Sequence, residues 1–131
     1  MDSAAKFLSA SSFAVAGASR NQAKYGSKVF AALVNSGRVV YPINPSADTI
    51  GESIAYPNLA AIPSVPVALS IVTPPEVTKV IIEEAVNLGV EHIWMQPGAE
   101  HEEASALARQ SGINVIDDGS CILVLLALGT N

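Results

Sequence analysis

The sequence predicts a doubly wound α/β domain, with a mostly parallel sheet covered by helices on both faces. Three observations lead there. The runs Phe13-Ala14-Val15-Ala16, Val67 to Val72 and His92-Ile93-Trp94-Met95 are nearly all nonpolar rather than alternating, as strands buried on both faces are. Segments with helical apolar spacing separate these runs, supplying the crossovers that parallel strands need. The chain has 131 residues, 50% of them hydrophobic and 15% charged, which suits a single domain over residues 1–131 with one well-formed core.

The elements follow in order. Asp2 to Ala10 reads as a short helix anchored by Phe7 and Leu8, against the sheet edge or beneath the first strand. Phe13–Ala16 is a central strand running into Gly17. The next helix starts near Tyr25 or Gly26, presents Val29, Phe30, Leu33 and Val34 on one stripe, and closes at Asn35-Ser36-Gly37. Arg38 to Tyr41 is the second strand, expected to end at Pro42 because proline lacks a ladder donor.

Ser46 to Pro57 reads as a loop with a short third strand, and Leu59 to Pro63 as a helical turn. Val67 to Val72 is the fourth strand, stopped by Thr73-Pro74-Pro75. Glu76 to Asn87 is the clearest helix, with Pro75 in its first turn, Val77, Val80, Ile81 and Ala85 expected toward the sheet, and Gly89 as its stop. His92 to Met95 is the fifth strand. Glu100 to Gln110 is a helix with Ala104, Leu107 and Ala108 expected inward, Asn114 to Ile116 a sixth strand, and Ile122 to Leu128 a final helix.

Charge and cysteine content narrow the function. Twelve acidic and seven basic residues give a net charge of -5, and no basic stripe exists to displace counterions from a nucleic acid. The one local enrichment, Arg20, Lys24 and Lys28, follows the first glycine turn and suits a few phosphates on a small ligand. A lone cysteine, Cys121, excludes an internal disulfide and a thiolate metal cluster, and with no basic segment leading into an apolar one at Met1 to Lys6 the expected compartment is the cytoplasm. The apolar run from Cys121 to Leu128 is far short of the ~20 residues a membrane span requires.

In this architecture ligands bind at the carboxyl ends of the strands, where the strand order reverses. Gly17-Ala18-Ser19 follows the first strand, where a small-residue turn lets backbone N–H groups face a phosphate. Ser19 can add a hydroxyl, and Arg20 and Lys24 can add charge. The other turns on that edge are Tyr41-Pro42-Ile43-Asn44-Pro45, Val72-Thr73-Pro74-Pro75 and Met95-Gln96-Pro97-Gly98. A dinucleotide fingerprint is absent: the G-x-G-x-x-G spacing is missing, and no acidic residue closes the second strand to hold a ribose.

Candidates for catalysis are sparse. His92 reads as a surface or satisfied structural histidine, and His101 among Glu100, Glu102 and Glu103 as solvated. Cys121 opens a helix, where the helix dipole favours thiolate, or else it fills the core. No Gly-x-Ser-x-Gly elbow or Gly-x-x-x-x-Gly-Lys-Ser/Thr loop occurs. Binding without catalysis is the reading, with an NAD(P)-linked oxidoreductase or a structural interaction subunit with a vestigial nucleotide crevice as alternatives.

The stretches Val15-Ala16-Gly17-Ala18-Ser19, Lys24-Tyr25-Gly26, Val40-Tyr41-Pro42-Ile43-Asn44-Pro45, Pro74, Ile93-Trp94-Met95-Gln96-Pro97-Gly98 and Gly112 to Ile116 leading toward Cys121 carry a resemblance. Over nearly its whole length the chain resembles the small stand-alone CoA-binding domain proteins, similar in fold to the N-terminal domain of the succinyl-CoA synthetase alpha subunit. The resemblance implies a Rossmann-like three-layer domain with coenzyme A or an acyl-CoA across the carboxyl edge of the sheet. Gly17, Ala18 and Ser19 would lie near the phosphates, and Tyr41 to Asn44, with Tyr41, Pro42 and Asn44, near the adenosine. Val72, Thr73 and Pro74 would form a wall, with Gln96 to Gly98 near the pantetheine arm. Tyr25 belongs to the matching Lys24-Tyr25-Gly26 element. At the C-terminus Asp118-Gly119-Ser120-Cys121 departs from the family's Asp-Arg-Cys, which removes a basic contact. Related synthetases carry their phosphohistidine in another domain, so synthetase activity is not carried over, and the candidate roles are a CoA-responsive regulator, a carrier of acyl-CoA or a docking subunit for an enzyme.

Overall fold

The structure, a computed structural model, describes residues 2–129; of the domain expected over residues 1–131, Met1, Thr130 and Asn131 lie outside the described residues. Helix α1 (Ser3–Leu8) is capped by Asp2, whose carboxylate accepts the Ala5 N–H at 2.8 Å. It is followed by β1 (Phe13–Ala16), α2 (Tyr25–Asn35), β2 (Val40–Ile43), β3 (Thr49–Ile50) and β4 (Ser53–Ile54). A 3₁₀ turn (Leu59–Ala61), β5 (Ala68–Ile71), α3 (Pro75–Leu88), β6 (His92–Met95), α4 (Glu102–Gln110), β7 (Asn114–Ile116) and α5 (Ile122–Ala127) complete the order.

Five strands form one parallel sheet in the order β2-β1-β5-β6-β7. The chain moves outward from β1 to β2 and then returns to the other side of β1 with β5. The strand order therefore reverses between β1 and β5, and their carboxyl ends are where a crevice opens.

Alternation along each strand divides the core into two layers. Ala14, Ala16, Leu69, Ile71, Ile93 and Met95 face α3 and α4, meeting Ile82, Ala85, Ala104 and Ala108. Phe13, Val15, Ala68 and Trp94 face the other layer with Phe7, Val29, Phe30, Leu33 and Ile122. Phe7 sets its ring edge-on to Trp94 at 5.2 Å, which fastens α1 beneath the sheet. On this layer Ser70 sits fully buried with no hydrogen-bond partner for its hydroxyl among the described residues.

Five expectations change. Pro42 does not end the second strand but lies inside β2, opposite Val15. This is possible because β2 is an edge strand: Tyr41 and Ile43 turn toward β1, so the missing N–H of Pro42 lies on the outer side. The segment after it forms two short antiparallel strands, β3 and β4, in a separate hairpin rather than a third strand of the main sheet. Tyr56 then bridges to Ile43 on the outer edge.

On α3 the buried stripe is Thr78, Ile82 and Ala85, whereas Val77 and Val80 are 42% and 64% exposed. Thr78 tolerates burial because its hydroxyl meets Thr73 Oγ1 at 2.8 Å and donates to the Pro74 carbonyl. On α4 Leu107 turns outward and Ser105 takes the buried position beside Met95. His101 is half-buried rather than solvated, since its Nδ1 caps α4 by accepting the Ala104 N–H. Smaller shifts affect boundaries: β5 is shorter than Val67 to Val72, and α5 stops at Ala127.

Candidate functional site

The turn from β1 to α2 is built by exclusion of side chains. Gly17 has φ +92°, a left-handed conformation, and a Cβ there would overlap the Val72 carbonyl oxygen. A Cβ on Gly26 would overlap the Gly17 carbonyl, so the first turn of α2 is pressed against the loop. Between them Ser19 Oγ accepts the Asn21 N–H at 3.0 Å and Asn21 Oδ1 accepts the Ala23 N–H at 3.0 Å, folding the loop back into the helix. Asn44 holds the loop from outside: its Nδ2 donates to the Ala18 carbonyl at 2.9 Å while its Oδ1 accepts the Ser46 N–H.

This turn floors a cleft of about 510 Å³, within the range of small-molecule sites. Gly17, Ala18, Ser19, Lys24, Tyr25, Asn44, Val72, Thr73 and Pro74 all line it, joined by Ala23, Gly26 and Pro45. The N-terminus of α2 opens into the cleft without a side-chain cap, because Lys24 at the cap position makes no such bond, and no acidic residue stands in the first turn. An uncapped helix N-terminus beside a lysine attracts an anion through its N–H groups and dipole.

Two further cavities adjoin the cleft along the same edge. An apolar groove of about 410 Å³ shares Gly17, Pro45 and Thr73 with it and runs between the 3₁₀ turn and α3, past Pro57, Leu59, Val77, Val80 and Ile81. On the other side a smaller cavity of about 210 Å³ shares Tyr25 and Val72 and is closed by Gln96, Pro97 and Cys121. Gln96 is buried, accepts the Ile122 N–H at 2.8 Å and donates to Cys121 Sγ at 3.3 Å, so its amide organises the start of α5.

The remaining residues named from sequence stand elsewhere. Arg20 faces a neighbouring groove beside the β3–β4 hairpin, 3.5 Å from Thr49 Oγ1. The Tyr41 ring packs against Tyr56 at 6.0 Å, and Pro42 is buried in the edge strand. Gly98 lies in an exposed turn with its N–H on Glu100 Oε1 at 2.7 Å. The sequence reading missed the groove residues Pro57, Leu59 and Glu84. Their one signal was apolar Val77 and Val80 early in a helix that directly follows a strand end.

Among the described residues no three His, Cys, Asp or Glu side chains are grouped to hold a metal ion, and no helix is long and apolar enough to cross a membrane.

Comparison with known proteins gives consistent likenesses. A conserved hypothetical protein from Pyrococcus furiosus is 35% identical, with 86% of this chain and 97% of that one aligned at a TM-score of 0.80. A hypothetical protein from Pyrococcus horikoshii OT3 shares the fold at a TM-score of 0.89, with 23% identity over 98% of this chain and 92% of that one. An acetyl-coenzyme A synthetase from Ca. Korarchaeum cryptofilum, in complex with phosphate and ADP, is 28% identical over 90% of this chain at a TM-score of 0.77, but the chain spans only 27% of its length. The family model described as the CoA binding domain matches residues 11–127, nearly all of this Rossmann-like parallel fold, and the chain belongs to the CoA binding domain family.

Proposed function

We propose that the chain is a single domain over residues 1–131 that binds coenzyme A or an acyl-CoA at the carboxyl edge of its sheet, as a carrier or regulator rather than a catalyst. One observation carries this reading: three cavities adjoin along that edge, an apolar groove, a cleft at the Gly17 turn and the uncapped α2 N-terminus, and a smaller cavity lined by Cys121. Coenzyme A has the same sequence of parts. Its diphosphate takes the Gly17 to Ser19 turn, the α2 N-terminus and Lys24. Its adenosine takes the groove that begins at Ile43 and Pro45, and its pantetheine arm crosses Val72 and Tyr25 toward Cys121. The likeness to part of an acetyl-coenzyme A synthetase supports the ligand class and says nothing of synthetase activity here.

The test is calorimetric titration of ligand-free protein with coenzyme A, NAD and NADP, accompanied by melting curves. Coenzyme A should give saturable heat and raise the melting temperature, because a ligand selective for the folded state stabilises it. Heat and stabilisation from NAD or NADP alone would overturn the reading in favour of a dinucleotide site.

A further inference from the structure

Apart from Thr73, whose hydroxyl is paired with that of Thr78, the groove beside the Gly17 turn carries two polar side chains, Asn58 and Glu84. Each has one polar atom already engaged. Glu84 reaches from α3 to the 3₁₀ turn, where its Oε1 accepts the Leu59 N–H at 3.1 Å. Asn58 Oδ1 accepts the Ala61 N–H at 3.0 Å, which commits the oxygen of that amide. What the pair still offers a ligand is therefore complementary: a carboxylate oxygen of Glu84 that only accepts, and the amide N–H groups of Asn58 that only donate.

A flat apolar slot carrying one acceptor and one donor fits the edge of a 6-aminopurine, which offers an amino N–H and a ring nitrogen that accepts. A 6-oxopurine would set its carbonyl oxygen against the carboxylate. The exposed Val77 and Val80 and the proline rims of Pro45 and Pro57 supply the apolar faces for the ring. The groove also shares Gly17, Pro45 and Thr73 with the phosphate cleft, so a base seated there remains attached to a diphosphate held at the α2 N-terminus.

We propose that Glu84 is the residue that makes this groove selective for a 6-amino over a 6-oxo purine. The proposal rests on the reading that the adenosine of the ligand lies in the groove. Sites built to hydrogen-bond a group reject analogues that lack it, because a polar partner is then left unmatched.

Calorimetry with coenzyme A and with its deaminated 6-oxo counterpart tests it. The 6-oxo ligand should bind the unaltered protein about tenfold more weakly, because its carbonyl oxygen meets a half-buried carboxylate that only accepts. In Glu84→Gln the amide oxygen can still accept from Leu59 while its NH₂ faces the groove, so the preference should shrink or reverse. Equal affinity of the unaltered protein for both ligands overturns the proposal without touching the reading of a coenzyme A site. So does an unchanged preference in a Glu84→Gln variant that melts like its parent. Failure of both ligands to bind overturns the reading and the proposal with it. The comparison of bases on unaltered protein needs no variant, so poor folding of Glu84→Gln leaves a decisive measurement.

Discussion

Gly26, in the first turn of α2, lies so close to the carbonyl of Gly17 that any side chain there would overlap that oxygen. The helix is thereby pressed against the turn it follows, through a contact between two residues that carry no side chain.

Gly26→Ala separates this contact from ordinary helix propensity. Alanine in a helix interior would gain up to about 1 kcal/mol over glycine. Overpacking against a backbone oxygen costs about 1–3 kcal/mol, and that oxygen cannot rotate away as a flexible side chain would. The variant should therefore melt below its parent and lose coenzyme A affinity. Melting curves and calorimetry read both, and a stabilised variant would mean the loop yields without cost.

Cys121 should form a mixed disulfide when the protein is incubated with coenzyme A disulfide. Its thiolate attacks one sulfur of the disulfide, forms a protein-sulfur bond and releases one coenzyme A thiol. The residue lines the cavity next to the cleft and is half-buried, so a coenzyme A arm seated as proposed would bring the sulfurs together. Intact mass should rise by one coenzyme A, fall again with dithiothreitol and stay unchanged in Cys121→Ser. No adduct on a protein that still binds coenzyme A would assign Cys121 to packing.

At the opposite edge of the sheet, Asn114 Nδ2 stands 3.0 Å from both the Ser3 carbonyl and His92 Nδ1. Donating to both requires an unprotonated Nδ1, and burial of the ring lowers the His92 pKa from its ordinary 6.5, with Glu91 opposing and Lys6 adding to the shift. The unfolded chain then binds the proton more readily than the folded one. Stability should rise with pH through the window from the folded-state pKa up to 6.5 and be flat above it. Denaturation across that range checks the slope, which His92→Gln should diminish.

Arg109 grips Asp117 with two hydrogen bonds, at 2.6 and 3.0 Å, and the guanidinium holds the carboxyl below its ordinary range. A depressed carboxyl stabilises the fold above its unfolded pKa and loses that contribution as pH falls through the folded value. Because Arg109 is half exposed, Arg109→Gln should cost only about 0.2–1 kcal/mol at neutral pH. Urea titration should find that difference gone once Asp117 is protonated.

The sheet was legible because Phe13–Ala16, Val67–Val72 and His92–Met95 are apolar on both faces and each ends in a turn. The place of the Gly17-Ala18-Ser19 turn in the cleft was legible for a related reason: the segment is small and follows the strand at which the sheet order reverses. Helix orientation was not. Val77 and Val80 suit a buried stripe as well as Thr78 and Ile82 do, and what decides between them is Thr73, whose hydroxyl makes burial of Thr78 inexpensive. The apolar groove was hidden by the same ambiguity, since its wall is made by the residues assigned to the core. Gln96 was legible as a polar residue at a strand end, but its commitment to the Ile122 N–H depends on a partner 26 positions away.

The proline within β2 bears on how the molecule behaves at high concentration. A parallel sheet's outermost strand ordinarily presents a row of free donors and acceptors onto which another chain can add a strand. Here Pro42 has no donor to present, its carbonyl accepts the Tyr56 N–H at 3.0 Å, and the Asn44 N–H is spent on the Tyr56 carbonyl at 2.9 Å. That margin is thus interrupted before a second chain can find a register on it, and edge-to-edge self-association along this strand is disfavoured beside the loop that carries Asn44.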